Sequence, residues 1–247
     1  NGHKRESSES PIQQAPLPRR LVVPLRQSTR ATARCIVEPG EKVLKGQRIG
    51  EPEGFLGTAV HAPTSGTVVE FGRHVMAHPS GLETRCVVIE PDGADRWIER
   101  KPFDLRHATR ADALGWLRDC GIVGLGGATF PSHVKLGTGS GVDTLILNGA
   151  ECEPWITCDD RLMRERAADI LAGAGILREL IGARRLMVGI EDNKPEAIEA
   201  MRAAAGALGG NIEVIAIPAI YPAGGEKQLI RVLTGIEIPY GKLGGDF

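Results

Sequence analysis

Four short stretches of this sequence hold the residue types with most chemical capacity. The first is Gly124-Leu125-Gly126-Gly127-Ala128-Thr129-Phe130-Pro131. A glycine-rich run of this kind lets backbone N–H groups converge on a phosphate, or lets a flat ring approach the main chain closely. Lys135, four residues beyond Pro131, adds a point charge suited to a phosphate or a ring carbonyl. The second stretch, Asn148-Gly149-Ala150-Glu151-Cys152-Glu153-Pro154, brings an amide and two carboxylates. The third is Glu191-Asp192-Asn193-Lys194, and the fourth Tyr221-Pro222-Ala223-Gly224-Gly225-Glu226-Lys227. Singly, each is compatible with an ordinary turn or with solvated loop carboxylates. None is the GxGxxG dinucleotide fingerprint or the P-loop GxxxxGK(S/T).

The elements around these stretches decide whether they can act together. From about residue 104 the pattern is helices alternating with apolar strands. Leu114 and Leu117 stand at helical spacing in Ala111–Cys120, and VDTLILN (142–148) reads as a short buried strand. Over 159–181, Leu162, Ala167, Ile170, Leu171, Ala174, Leu177 and Ile181 define a helix face, with Asp159 or Asp160 expected as its N-cap. RRLMVGI (184–190) is a strand; Pro195 opens a helix over 196–208 that Gly209-Gly210 ends. NIEVIAIP (211–218) is a third strand and 225–233 a third helix. This β-α-β-α-β-α order predicts a parallel sheet covered by helices. Ligands of such sheets bind beyond the carboxyl ends of the strands, where the second, third and fourth stretches all fall. The glycine-rich run lies just before the unit. Convergence of four unusual loops at one topological place points to a nucleotide-like ligand.

Residues 20–100 follow another pattern, short strands punctuated by turns: LVVPL, ARCIVEPGEKVLKGQRIGE, HAPTSGTVVEF and TRCVVIEPDG. Val37, Val43 and Ile49 fall at alternating or near-alternating apolar spacing, separated by Pro39-Gly40 and Lys45-Gly46 turns. The phrases PGEKVLKGQ and APTSGTV resemble the two halves of the lipoyl/biotinyl-type barrel-sandwich domain. That family carries its swinging cofactor on a hairpin lysine flanked by Met or Ala. Here Lys42 and Lys45 sit in the turn phrase instead, so the module is expected to be structural and not a biotin or lipoate carrier.

Composition removes other classes. Ten aromatic residues (3 Trp, 2 Tyr, 5 Phe) in 247 are too few for a base-stacking surface, so no nucleic-acid partner is expected. No apolar run approaches the roughly 20 residues of a membrane-spanning helix. Cys35, Cys86, Cys120, Cys152 and Cys158 contain no CxxC, so neither zinc nor an iron–sulfur cluster is assembled from local ligands. Cys152 and Cys158 read either as a redox or ligand pair or as two core thiols. The net charge of −1 hides seven basic residues against two acidic ones in positions 1–34. That basic arm suits anionic lipid or an acidic partner subunit, or is simply a solvated leader. Glycine, at 32 residues, is in excess without any repeat, which assigns it to local backbone work. The chain begins at Asn1, without an initiator Met, which is the expectation for a fragment.

In order and spacing, GLGGATFPSHVKL, LILNGAECEPWITCDDRLM, GIEDNKPEAIEAM and YPAGGEKQLIRVLTG resemble the NADH-binding C subunit of the Rnf electron-transport complex, itself similar to the flavin-bearing subunit of respiratory complex I. GHKRESS, PGEKVLKGQ, EPEGFLG and HAPTSGTVV look like the same family's β module, so the resemblance covers almost the whole chain. It implies a basic strap (1–19), a barrel-sandwich-like β module (20–103) and a Rossmann-like α/β FMN- and NADH-binding domain (104–247). It further implies noncovalent FMN at Gly124, Gly126, Gly127, Lys135, Asn148, Glu151, Gly225 and Glu226, with dinucleotide contacts at Phe130, Glu153 and Lys227. Hydride transfer from NADH to flavin needs no side-chain base, so no catalytic acid, base or metal ligand is expected. Other subunits of a membrane-bound, ion-translocating NADH:ferredoxin oxidoreductase are the implied partners, on the cytoplasmic face of the bacterial inner membrane.

This sequence departs from the pattern at three places. Ala150 and Lys227 stand where the complex I pattern has Asp and Glu, and Thr129 where the Rnf pattern prefers Gly. The family's β-grasp segment and ferredoxin-like domain, with its 4Fe-4S clusters, lie beyond PYGKL; the chain stops at Phe247 with no cluster ligands of its own. Two rival readings stay open: a flavin-free structural subunit of a related NADH:quinone reductase, and a related flavin reductase with another acceptor such as a cobalamin. The intact GLGGATFP and GGEK segments favour flavin binding over the first.

Overall fold

The computed structural model describes residues 2–137 and 141–246; Asn1, residues 138–140 and Phe247 lie outside it. The chain forms two compact units, one of Ala15–Thr138 and one of Asn1–Gln14 with Gly139–Phe247. A single helical turn, α1 (Arg5–Ser8), belongs to the second.

The first unit carries β1 (Leu21–Pro24), β2 (Arg34–Cys35), β3 (Lys42–Val43), β4 (Arg48–Glu51), β5 (Val60–His61), β6 (Gly66–Val75) and β7 (Glu83–Pro91). They make two antiparallel sheets, ordered β1-β7-β6-β3 and β2-β4-β5. Val37, Val43 and Ile49 are all buried, with Leu25, Val60, Val68, Val87 and Ile89. This is the barrel-sandwich module. Two charged clusters close its turns: Lys45 on Asp95 at 2.6 Å, and Ser65 donating to Asp92 at 2.7 Å. After the sheets come α2 (Arg110–Asp119) and α3 (Ser132–Gly137). A reciprocal Thr109/Asp112 capping box starts α2.

Much of the basic arm is already paired within the two units. Arg5 bonds Glu9 in one; Arg20 bonds Glu70 and Arg34 bonds Glu51 in the other.

The second unit holds β8 (Thr144–Gly149), α4 (Cys158–Ile181), β9 (Arg185–Glu191), α5 (Pro195–Leu208), β10 (Ile212–Ile217) and α6 (Glu226–Thr234). The strands are parallel in the order β10-β9-β8, as the sequence alternation predicts. Alternation sends Leu186, Val188 and Ile190 to one face, where Met163, Leu171 and Ala174 of α4 and Ala197, Ile198 and Met201 of α5 cover them. On the other face α6 comes close at Gly189: a Cβ there would lie 2.8 Å from Leu229 Cδ1.

Two expectations about α4 are corrected. Leu162 is 41% exposed and Met163 packs in its place. Met163 is four residues before Ala167, on the i, i+4 stripe, whereas Leu162 is five before it and falls off the face. The N-cap position is Thr157, not Asp159 or Asp160, and Thr157 makes no side-chain cap bond. The cap comes instead from Glu151 in the preceding loop, whose Oε1 accepts from the Asp159 N–H at 2.9 Å.

Candidate functional site

The α/β unit brings its strand-end loops together as its topology requires. Asn148, the penultimate residue of β8, donates from Nδ2 to the Gly224 carbonyl at 2.8 Å, and its Oδ1 accepts from the Ala150 N–H at 3.1 Å. The Gly224 N–H in turn points at Cys152 Sγ, 3.2 Å away. The loop after β10 thus reaches across the end of β9 and is stitched to the loop after β8. The approach is close at 224, where a Cβ would lie 3.3 Å from the Ala150 carbonyl oxygen. α6 then starts with Gly225 at its N-cap and no side-chain cap bond, which leaves first-turn N–H groups directed at the same edge. Glu226 opens the helix and accepts from the Gly244 N–H at 3.1 Å; Lys227 donates to the Pro239 carbonyl at 2.9 Å.

Beneath these loops lies a buried charge cluster. Glu151, Glu191 and Lys194 are each only 3% exposed. Lys194 Nζ lies 3.2 Å from Glu151 Oε2 and 3.2 Å from Glu191 Oε2, while the Glu151 N–H donates to Glu191 Oε2 at 3.3 Å. One ammonium therefore serves two carboxylates. Burial pushes the Glu151 carboxyl up, but the Asp159 amide, the Lys194 charge and the Cys158 thiol outweigh it and hold the group below its ordinary value. Asp159 is displaced the other way, by burial and by the Glu151 charge. Burial raises both the Cys152 and Cys158 thiols, and neighbouring carboxylates add to it. Both remain thiols at neutral pH, a poor state for a metal ligand or nucleophile. Glu151, Cys158 and Asp159 hold ligand-type atoms within 4.8 Å of one another, yet the Glu151 carboxylate is already taken by Lys194 and the Asp159 amide.

In the other unit, residues 124–130 form a loop pinched at its neck. The Gly124 N–H donates to the Phe130 carbonyl at 2.8 Å, and Val123 bridges Pro131. The pinch throws the tip outward: Leu125 is 89% exposed. Gly127 needs its glycine for a φ of +92°. Gly126 does not; its φ is ordinary and a Cβ would meet no described atom within 4 Å. Thr129 adopts φ +47°, the left-handed region that glycine tolerates and a β-branched residue resists. Its carbonyl is held by the Thr29 N–H at 3.0 Å. Phe130 is partly exposed and Lys135 sits on α3.

Of the expected positions, Asn148, Glu151, Gly225 and Glu226 gather at the sheet edge of the α/β unit, with Lys227 in the first turn of α6. Glu153 is exposed in the loop after β8. Gly124, Gly126, Gly127, Phe130 and Lys135 share the pinched loop and α3 of the β unit. Lys194 and Lys4 are the residues sequence reasoning missed. A Glu-x-x-Lys spacing at a strand end, next to a second carboxylate at the neighbouring strand end, was the available signal for Lys194.

The strand-end edge of the α/β unit suits a phosphorylated ligand. An uncapped helix start preceded by Gly224-Gly225 suits an anion.

Comparison with known proteins matches an FMN-binding domain to this part of the chain. Residues 1–94 match the RnfC barrel sandwich hybrid domain and residues 117–247 the Nuo51 FMN-binding domain. The C subunit of the ion-translocating oxidoreductase complex of Pectobacterium atrosepticum is 48% identical over 97% of this chain and 34% of its own length. The C subunit of the same complex of Pseudomonas aeruginosa is 49% identical over 99% of this chain and 32% of its own length. Among solved structures, an NAD+-reducing NiFe-hydrogenase in the air-oxidized state is similar over 51% of this chain and 24% of that one, with 26% identity and a TM-score of 0.46. The chain spans about a third of the length of the curated relatives it matches. With a barrel sandwich hybrid domain followed by an FMN-binding domain, it belongs to the RnfC family.

Proposed function

We propose that this chain is the electron-input part of an Rnf-type complex, binding FMN noncovalently and accepting hydride from NADH. The supporting observation is the α/β unit's strand-end edge, where an uncapped α6 N-terminus, the Gly224-Gly225 pair and Asn148 are tied together above a buried Glu151–Lys194–Glu191 cluster. FMN, when bound, supplies the conversion of a two-electron donor into single-electron steps. The chain's own residues bind and orient. The α6 amides and Gly225 meet the phosphate, Asn148 and Glu226 take polar groups of the flavin, and Glu151 fixes the loop by capping α4. Gly124, Gly126, Gly127 and Lys135 are assigned to the flavin as the resemblance implies, and Phe130, Glu153 and Lys227 to the dinucleotide. The whole protein is proposed to pass electrons to its own 4Fe-4S clusters and on to ferredoxin or a membrane partner, coupled to ion movement, as a peripheral protein on the cytoplasmic face of the inner membrane. Among the described residues no helix is long and apolar enough to cross a membrane.

The test is direct. FMN added to the purified chain should be quenched saturably, with the affinity lost in Gly225→Val. Bound flavin should bleach anaerobically with NADH and far more slowly with NADPH. Absence of saturable quenching, or equal bleaching by the two nucleotides, overturns the assignment.

A further inference from the structure

The first residues of the chain make an unusually dense set of contacts with a loop some 150 residues away. Lys4 Nζ donates to three carbonyl oxygens of that loop: Glu151 at 2.6 Å, Glu153 at 2.7 Å and Ile156 at 2.6 Å. An ammonium has three N–H donors, so every one is used. The Trp155 N–H donates to the Gly2 carbonyl at 2.9 Å. The His3 ring stacks on Trp155, centroids 4.8 Å apart and 4° from parallel. Further along, the Ile12 N–H donates to Glu165 Oε1 at 3.0 Å, and Arg161 reaches the Ser8 carbonyl at 3.4 Å. The segment is laid from the loop onto α4.

Three carbonyl dipoles aimed at one point repel one another unless a cation sits between them. Their convergence bends the loop sharply, and Trp155 is carried to φ +67°, a genuine outlier for a bulky residue. Nothing within the loop supplies that charge; Glu151 and Glu153 are acidic. Lys194 is 3.5 Å from the Glu151 carbonyl, but it is committed to the buried carboxylates below.

We infer that Lys4 is a positioning residue for the cofactor site. Its ammonium acts as a fixed internal cation that holds the 151–156 carbonyls, and so holds Glu151 on α4 and Cys152 beneath Gly224. The functional half of this inference rests on the flavin reading above, because the loop it fixes is the one assigned to the cofactor. The basic N-terminal segment then has a structural task inside the α/β unit besides any attraction to lipid.

The experiment uses the full chain with Lys4→Met, Lys4→Arg and, as control, Arg5→Ala, which removes only an exposed pair with Glu9. Hydrogen exchange of the peptide covering 150–160 reports the clamp without flavin. FMN quenching reports its effect on the site. Lys4→Met should speed exchange there and weaken FMN by about tenfold or more, the loss of at least one charge-assisted hydrogen bond. Lys4→Arg, whose planar fork cannot reproduce a three-way convergence, should fall between Lys4→Met and wild type. Arg5→Ala should match wild type in both. Unchanged exchange in Lys4→Met refutes the clamp whatever the flavin does. Faster exchange with undiminished FMN affinity refutes the positioning role. If wild type itself binds no FMN, the flavin reading and this positioning role fall together, and the exchange data alone decide the clamp.

Discussion

Replacing Lys194 by Met removes the only described cation within ion-pair distance of Glu151 and Glu191 while keeping a side chain of similar length. Both carboxylates are almost completely buried, so the variant leaves uncompensated negative charge in a poorly solvated place. Breaking one partner out of a buried pair costs about 3–5 kcal/mol. The pH dependence should also reverse. In wild type the Glu151 carboxyl is held below its ordinary value of 4.5. Its contribution is therefore present above that pH and lost as pH falls through the lowered folded value. Without Lys194, burial remains and pushes the Glu151 carboxyl up. The folded variant then binds more protons than the unfolded chain, and its stability declines as pH rises above the ordinary carboxylate value. The assay is urea unfolding read through Trp155 in a Trp97→Phe, Trp116→Phe background, so that only the α/β unit is followed. Adding Glu191→Gln should recover most of the loss, because the amide oxygen can still accept from the Glu151 N–H. A loss below about 1 kcal/mol, or an unchanged pH slope, would refute the claim that this ammonium balances two buried carboxylates.

Two further substitutions test backbone and packing. Thr129→Gly should stabilise the β unit by about 1–2 kcal/mol in urea unfolding, by relieving a β-branched residue at φ +47°; equal midpoints would mean that the position carries no strain. Gly189→Ala should destabilise the α/β unit by about 1–3 kcal/mol, because the new methyl lies 2.8 Å from Leu229 Cδ1 and 3.2 Å from Leu233 Cδ1. A crystal structure with α6 undisplaced, or an unaltered melting temperature, would count against that packing argument.

The α/β framework was legible because its signals are local. Pro195 and Gly209 bracket α5, apolar runs mark β8, β9 and β10, and the chain order itself dictates which ends share an edge. The meeting of Asn148 with Gly224 follows from that order. Caps and charge pairs were less legible, since they depend on residues that are distant in sequence or that point inward by topology. Asp159 and Asp160 are good local N-caps, yet Glu151 folds back and caps the helix from the loop, and Asp160 instead forks with Arg164 at 2.9 and 2.7 Å. Lys194 stands in a strand-end stretch of the sequence, but its pairing with both Glu151 and Glu191 depends on the fold. Lys4 reads as part of a basic leader, because the loop that uses it is specified only after the fold is built.

The α/β unit is discontinuous along the chain, begun by residues up to Gln14 and resumed at Gly139. The β unit between them is one uninterrupted stretch, so on a ribosome it can complete its sheets while the rest is still being synthesised. The opening residues cannot settle at that stage. Lys4 has no carbonyls to hold until the chain has been made through Ile156, and Ile12 has no partner before Glu165. Residues up to Gln14 thus leave the ribosome before the β unit and find their place only after it has been made.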